Sequence, residues 1–62
     1  MKIKEILATI RDLAKSQGYY GRLYRMITDM AKNDPDNYEQ LVRELERQNF
    51  RDSVDLVLFF ET

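Results

Sequence analysis

The fold is decided first by residues 3–14, which read IKEILATIRDLA. Apolar side chains recur here three and four residues apart, the spacing of one helical face. They are Ile3, Ile6, Leu7, Ile10, Leu13 and Ala14. Gly18 follows, and glycine readily adopts the left-handed conformation that ends many helices. We therefore predict a first helix over residues 2–16 that is terminated at a left-handed Gly18.

A second helical pattern covers residues 19–32 and forms a hairpin with the first. One apolar face is made by Tyr20, Leu23, Tyr24, Ile27 and Ala31, and it is widened by Tyr19, Met26 and Met30. One core contact cannot bury so wide a surface. Gly21 weakens a helix by about 1 kcal/mol relative to alanine. Its presence predicts either fraying or the close approach of a neighbouring backbone.

Residues 33–37, NDPDN, predict a turn, because proline fixes its own φ and disfavours helix at the residue before it. Two starts for a third helix remain open. Either Asp34 caps the helix with Pro35 at its first position, or Asp36 caps it with Glu39 three residues later. An apolar stripe follows, made by Tyr38, Leu41, Val42 and Leu45, and we place the third helix near residues 36–48.

The closing segment, residues 52–61, is ambiguous. Its β-branched and aromatic side chains suit a strand, whereas Asp52 with Asp55 three residues later resembles the start of a helix. A single strand among helices has no partner within the chain, although a dimer would supply one. We predict a helix, which makes the fold class all-α: one domain of three to four helices.

Composition limits both stability and chemistry. The chain has 62 residues, no cysteine and no histidine. A domain of this size buries only about 60% of its unfolded surface, and here neither disulfides nor the usual zinc ligands can help. We therefore predict homodimerisation, with Val57, Phe59 and Phe60 at the interface. No cofactor, metal site or catalytic residue is predicted, and an enzyme ranks last among the functions considered.

Charge is distributed unevenly along the chain. Residues 1–32 contain seven basic and three acidic side chains, a net charge of +4, whereas residues 33–62 contain three basic and eight acidic ones, a net charge of −5. This polarity fits docking of one half on the other, and equally an ordinary solvated surface. Glu44 and Glu46, beside Arg43 and Arg47, are interpreted as a solvated helix face.

Residues 14–18 have the alanine-to-glycine spacing of a helix-turn-helix, a DNA-binding motif. Gln17 stands where that motif has an apolar residue, and Gly21 would interrupt the recognition helix, so an ordinary hairpin is the preferred interpretation. The second helix instead combines aromatic, arginine and methionine side chains, which are typical of protein-binding surfaces. We predict that Tyr19, Arg22, Arg25 and Met26 contact a protein partner.

The run Ser-Gln-Gly-Tyr-Tyr-Gly-Arg-Leu at residues 16–23, together with Phe50, Asp52 and residues 54–61, resembles small helical proteins encoded by bacteriophages and prophages of Gram-positive bacteria. The resemblance covers most of the chain but carries no assigned activity. It implies a class of roles: regulating phage genes, or binding a host protein to modulate or inhibit it.

These observations favour a non-catalytic protein-binding module. The alternative is a helix-turn-helix-like DNA-binding regulator, which the net charge of −1 disfavours because DNA binding relies on basic surfaces. No apolar run approaches the roughly 20 residues that cross a bilayer, so a soluble, cytoplasmic protein without a membrane partner is expected.

Overall fold

Four α-helices account for most of residues 1–61, the part of the chain that the computed structural model describes. They are α1 (Ile3–Leu13), α2 (Gly18–Asn33), α3 (Pro35–Arg47) and α4 (Ser53–Glu61). No strand occurs among these residues. The all-α prediction is confirmed, and the closing segment is a helix.

Each helix contributes to one core. α1 packs against α2, α2 against α3, and α3 against α1, as the predicted hairpin of the first two helices requires. The fully or nearly fully buried side chains are Ile6, Ile10, Tyr20, Leu23, Ile27, Leu45, Phe50 and Leu56. Most residues of the predicted apolar stripes therefore face inward. Ala31 instead lies exposed on α2, and Val42, half-buried on α3, does not pack against this core.

The turn between α1 and α2 differs from the prediction. α1 ends at Leu13 rather than near residue 16, and Gly18 has a negative φ and begins α2. The carbonyl group of Leu13 accepts hydrogen bonds from the amides of Ser16 (3.1 Å) and Gln17 (3.0 Å). Because this tight turn already satisfies the carbonyl end of α1, no left-handed glycine is needed.

Gly21 lies within α2 and is half-buried against α1. A Cβ atom added at this position would lie 3.8 Å from the Cβ of Ala14, which is ordinary van der Waals contact. Of the two alternatives predicted for this glycine, fraying or close backbone approach, the close approach is not found.

α3 begins at Pro35, so the first of the two predicted starts is the one adopted. Asp34 occupies the cap position, but its side chain does not bond the helix backbone. Its carboxylate instead accepts a hydrogen bond from the side-chain amide of Asn37 at 2.6 Å. Proline at the first helical position costs no backbone hydrogen bond, because that amide has no partner inside a helix.

The connection between α3 and α4 is held by the start of the chain. Asn49 takes the left-handed conformation (φ 56°) just beyond α3, and Phe50 is buried. The amino group of Met1 donates to the carbonyl of Phe50 (2.8 Å), and the Ile3 amide donates to Glu46 Oε2 (2.8 Å). The prediction that Glu46 belongs to a solvated helix face is therefore incomplete. Its carboxylate accepts a hydrogen bond from the Ile3 amide, which would otherwise be unpaired at the start of α1.

α4 begins with the predicted cap. Asp52 Oδ1 accepts hydrogen bonds from the amides of Val54 (3.1 Å) and Asp55 (3.2 Å). Asp55 Oδ2 in turn accepts one from the amide of Arg51 (3.0 Å). Together these bonds orient a helix of only nine residues, too short to be stable alone.

Removing this cap should weaken the attachment of α4. Asp52→Ala should lower the free energy of unfolding by about 1 kcal/mol, the usual cost of losing an N-cap. Asp52→Asn should stay close to wild type, since asparagine caps helices about as well. Urea unfolding followed by circular dichroism compares the two, and equal loss in both variants would contradict the capping role.

Two leucines of α4 test which side of this helix faces the core. Leu56 is fully buried, whereas Leu58 is 58% exposed. Leu56→Ala should cost about 2 to 5 kcal/mol through lost burial and a cavity. Leu58→Ala should cost under about 0.5 kcal/mol when unfolding is measured at low protein concentration. Similar losses would show that α4 is oriented differently.

Candidate interaction surfaces

The first candidate surface lies on α2 and consists of the four predicted partner-binding residues: Tyr19, Arg22, Arg25 and Met26. All four are exposed, Tyr19 by 45% and Met26 by 56%. Helical spacing explains this, because they lie on turns beside and opposite the buried Tyr20, Leu23 and Ile27. We call this set the α2 surface.

Tyr19 is supported by a buried neighbour. Its ring meets that of Tyr20 edge to face, with ring centroids 5.2 Å apart and an interplanar angle of 78°. The Tyr20 side chain is fully buried, and its hydroxyl donates to Glu61 Oε2 at 2.7 Å. This bond joins the C-terminal end of α4 to the N-terminal end of α2. Tyr19, the first residue of the α2 surface, therefore packs against a side chain that is fixed in the core.

The arginines of the α2 surface differ from those of α3. Arg43 pairs with Glu39 at 2.9 Å, as its spacing predicted, and Arg47 pairs with Glu44 at 2.6 Å. Arg22 and Arg25 form no ion pair within residues 1–61. Their guanidinium donors are therefore available to a carboxylate or phosphate supplied from outside the chain.

The second candidate surface lies on α4. Val54 is 61% exposed, Leu58 58% and Phe59 41%, and these three residues form what we call the α4 surface. Of the residues predicted at a dimer interface, Phe59 belongs to it, whereas Val57 and Phe60 are half-buried and pack partly against the core. Val54 and Leu58 were not singled out from the sequence.

Aromatic contacts hold Phe59 in place at the edge of this surface. Its ring lies edge to face against Phe50, with centroids 5.4 Å apart, and against Phe60, with centroids 5.1 Å apart. Such pairs contribute about 0.5 to 1.5 kcal/mol beyond area burial. Phe59 thus links the α4 surface to the core.

Two open depressions in the structure are lined mostly by polar side chains. Residues of α3 line an open depression of about 270 Å³, and residues near Met1 and Glu46 line another of about 220 Å³. No group of three or more acidic side chains able to hold a metal ion occurs within residues 1–61. None of the four helices is long and apolar enough to cross a membrane.

Comparison of the chain with models of protein families, with curated proteins and with solved structures finds no match.

Burial of the Tyr20 side chain makes stability sensitive to alkali. Burial, reinforced by donation to the Glu61 carboxylate, raises the pKa of Tyr20 from 10.0 to about 12. Between those values the unfolded chain loses this proton while the folded chain keeps it, so stability falls as pH rises. Below about pH 10 the contribution is complete.

Tyr20→Phe should therefore lower the free energy of unfolding by about 1 kcal/mol near neutral pH. It should also remove part of the decline in stability expected between pH 10 and 12. Tyr38→Phe is the matched control, because the Tyr38 hydroxyl forms no hydrogen bond within residues 1–61. Urea midpoints measured across this range provide the comparison, and identical pH profiles for wild type and Tyr20→Phe would contradict the assignment.

Proposed function

We propose that the protein is a non-catalytic protein-binding module whose α2 surface contacts a protein partner. The observation that carries the proposal is that Arg22 and Arg25 lie exposed, without ion pairs in residues 1–61, between exposed Tyr19 and Met26. Tyrosine and arginine are enriched among the residues that dominate binding energies at protein interfaces. Methionine adds a flexible apolar contact.

The net charge of the whole chain favours an acidic protein surface over nucleic acid as the partner. A partner carboxylate can accept two parallel hydrogen bonds from one guanidinium group. DNA binding gains most of its affinity from many phosphate contacts, and a chain with eleven acidic and ten basic side chains has no large excess of positive charge. The DNA-binding regulator therefore remains the competing hypothesis for the test.

Self-association completes the proposal. Exposed apolar residues on a nine-residue helix cost solubility, and covering them with a second copy removes that cost. The α4 surface supplies such residues, whereas the α2 surface supplies arginines. We therefore assign self-association to α4 and partner binding to α2. Modulation of a host protein by a phage-encoded chain, the role implied by the sequence resemblance, fits a module of this kind.

Charge reversal on the α2 surface should separate binding from folding. Arg22→Glu with Arg25→Glu should keep the free energy of unfolding within about 1 kcal/mol of wild type, because exposed charges contribute little to folding. Arg43→Glu with Arg47→Glu changes the net charge equally on α3 and serves as the control. Proteins retained by the immobilised wild type and by the control, but lost with the α2 variant, identify the partner for measurement with purified protein.

Two outcomes would overturn the proposal. Equal retention by the α2 variant would place binding elsewhere on the chain. Strong binding of duplex DNA in fluorescence anisotropy, declining steeply with salt and abolished by the same α2 variant, would establish the DNA-binding alternative instead.

A further inference from the structure

α4 is attached to the rest of the fold differently from the other helices. Among residues 1–61, extensive backbone packing between helices joins α1, α2 and α3 pairwise, whereas α4 approaches them mainly through its side chains. Leu56 is the one fully buried residue of α4, and Val57 and Phe60 pack partly against the core. The three longer helices therefore support one another directly, while the position of α4 depends on a few side chains.

Hydrogen bonds at the two ends of α4 differ in reach. Asp52 and Asp55 accept hydrogen bonds from backbone amides within residues 51–55, so the contacts at the start of the helix are local. At the other end, Glu61 Oε2 accepts the hydroxyl of the buried Tyr20 at 2.7 Å, across 41 positions of sequence. This bond fastens the far end of α4 to α2, and it must break when α4 leaves the core.

The outer face of α4 does not hold the helix in place, because Val54 and Leu58 project into solvent. A helix of nine residues is too short to be stable alone, so its helical state depends on contact with the core. Loss of the Leu56 contact should therefore release and unwind the whole helix in one step.

We propose that α4 is a strap that opens and closes as a unit over a three-helix body formed by α1, α2 and α3. In the closed state Leu56 is buried and Glu61 accepts the Tyr20 hydroxyl. In the open state both contacts are broken, while α1, α2 and α3 stay packed on one another. An opening of this kind needs less free energy than global unfolding, because most of the buried contacts remain.

Opening of the strap also reaches the α2 surface. The ring of Tyr19 packs edge to face against the ring of Tyr20, with centroids 5.2 Å apart. Release of Glu61 leaves the Tyr20 hydroxyl without its acceptor, so the ring that supports Tyr19 is no longer held from the side of α4. The strap requires neither a partner at the α2 surface nor a second copy of the chain.

Amide hydrogen exchange distinguishes a strap from an ordinary part of the core. The wild-type chain is placed in deuterated buffer at low micromolar concentration, so that self-association does not hold α4 closed, and exchange is located by fragmentation in a mass spectrometer. After correction for intrinsic rates, the amides of residues 56–61 should share one exchange rate. That rate should exceed the rates of the Leu23 and Ile27 amides in α2 by about tenfold or more.

Two results would overturn the strap. Equal protection of the α4 and α2 amides would show that α4 opens only when the whole chain unfolds. Protection that falls residue by residue from Leu56 to Glu61 would show fraying of one end of the helix instead of opening as a unit.

Gly21→Ala changes the three-helix body alone. A Cβ atom at this position would lie in ordinary contact with Ala14, at 3.8 Å. Because alanine favours the helix over glycine, the variant should slow exchange of the Leu23 and Ile27 amides about fivefold. Exchange in α4 should stay at the wild-type rate, since residue 21 is helical in both the closed and the open state. Equal slowing in α4 would contradict separate opening.

Tyr20→Phe tests the bond at the far end of the strap. The hydrogen bond to Glu61 exists only in the closed state, so its removal should speed exchange in α4 about fivefold. Tyr38→Phe is the matched control and should leave exchange in α4 unchanged. An α4 exchange rate that is the same in Tyr20→Phe as in wild type would contradict the role of this bond in closing the strap.

Discussion

The excess of apolar side chains on α4 is the constraint on which the rest of the structure depends. Six of its nine residues are apolar, and one face of a short helix cannot bury them all. Leu56 closes the core shared with α1, α2 and α3, and the cap at Asp52 orients the helix so that it does. Val54 and Leu58 are consequently left on the outside.

The hydrogen bond between Tyr20 and Glu61 joins the start of α2 to the end of α4, so the positions of these two helices depend on each other. Tyr20 is the largest fully buried side chain, and its hydroxyl reaches the last described turn of α4. The ring of Tyr19, the first residue of the α2 surface, packs against the ring of Tyr20. A change that detaches α4 should therefore disturb both surfaces, whereas changes confined to exposed arginines should leave the fold unaffected.

Most of the fold could be predicted from the helical spacing of apolar residues in the sequence. The stripe from Ile3 to Ala14 and the stripe of α3 are regular, so their facing could be predicted, as could the pairing of Glu39 with Arg43. The capping of α4 by Asp52 was also readable, because local hydrogen bonding depends on close neighbours in sequence. Exposure of Tyr19, Arg22, Arg25 and Met26 followed from their positions around α2.

Features that depend on distant parts of the chain could not be predicted in this way. Glu46 bonding to Ile3 and Tyr20 bonding to Glu61 each join residues more than forty positions apart. The prediction that a left-handed Gly18 ends the first helix was wrong, because a tight turn at residues 14–17 already satisfies the Leu13 carbonyl. Val54 and Leu58 were not singled out because the predicted helix is apolar on nearly all sides, and local periodicity did not decide that Leu56 would face the core.

Sedimentation equilibrium of the wild-type chain over a range of concentrations tests the central claim, that the outer face of α4 is covered by a second copy. The account predicts an average mass rising with concentration from the 7.5 kDa of one chain towards about 15 kDa, twice that value. A mass that stays at 7.5 kDa up to high micromolar concentration would contradict it.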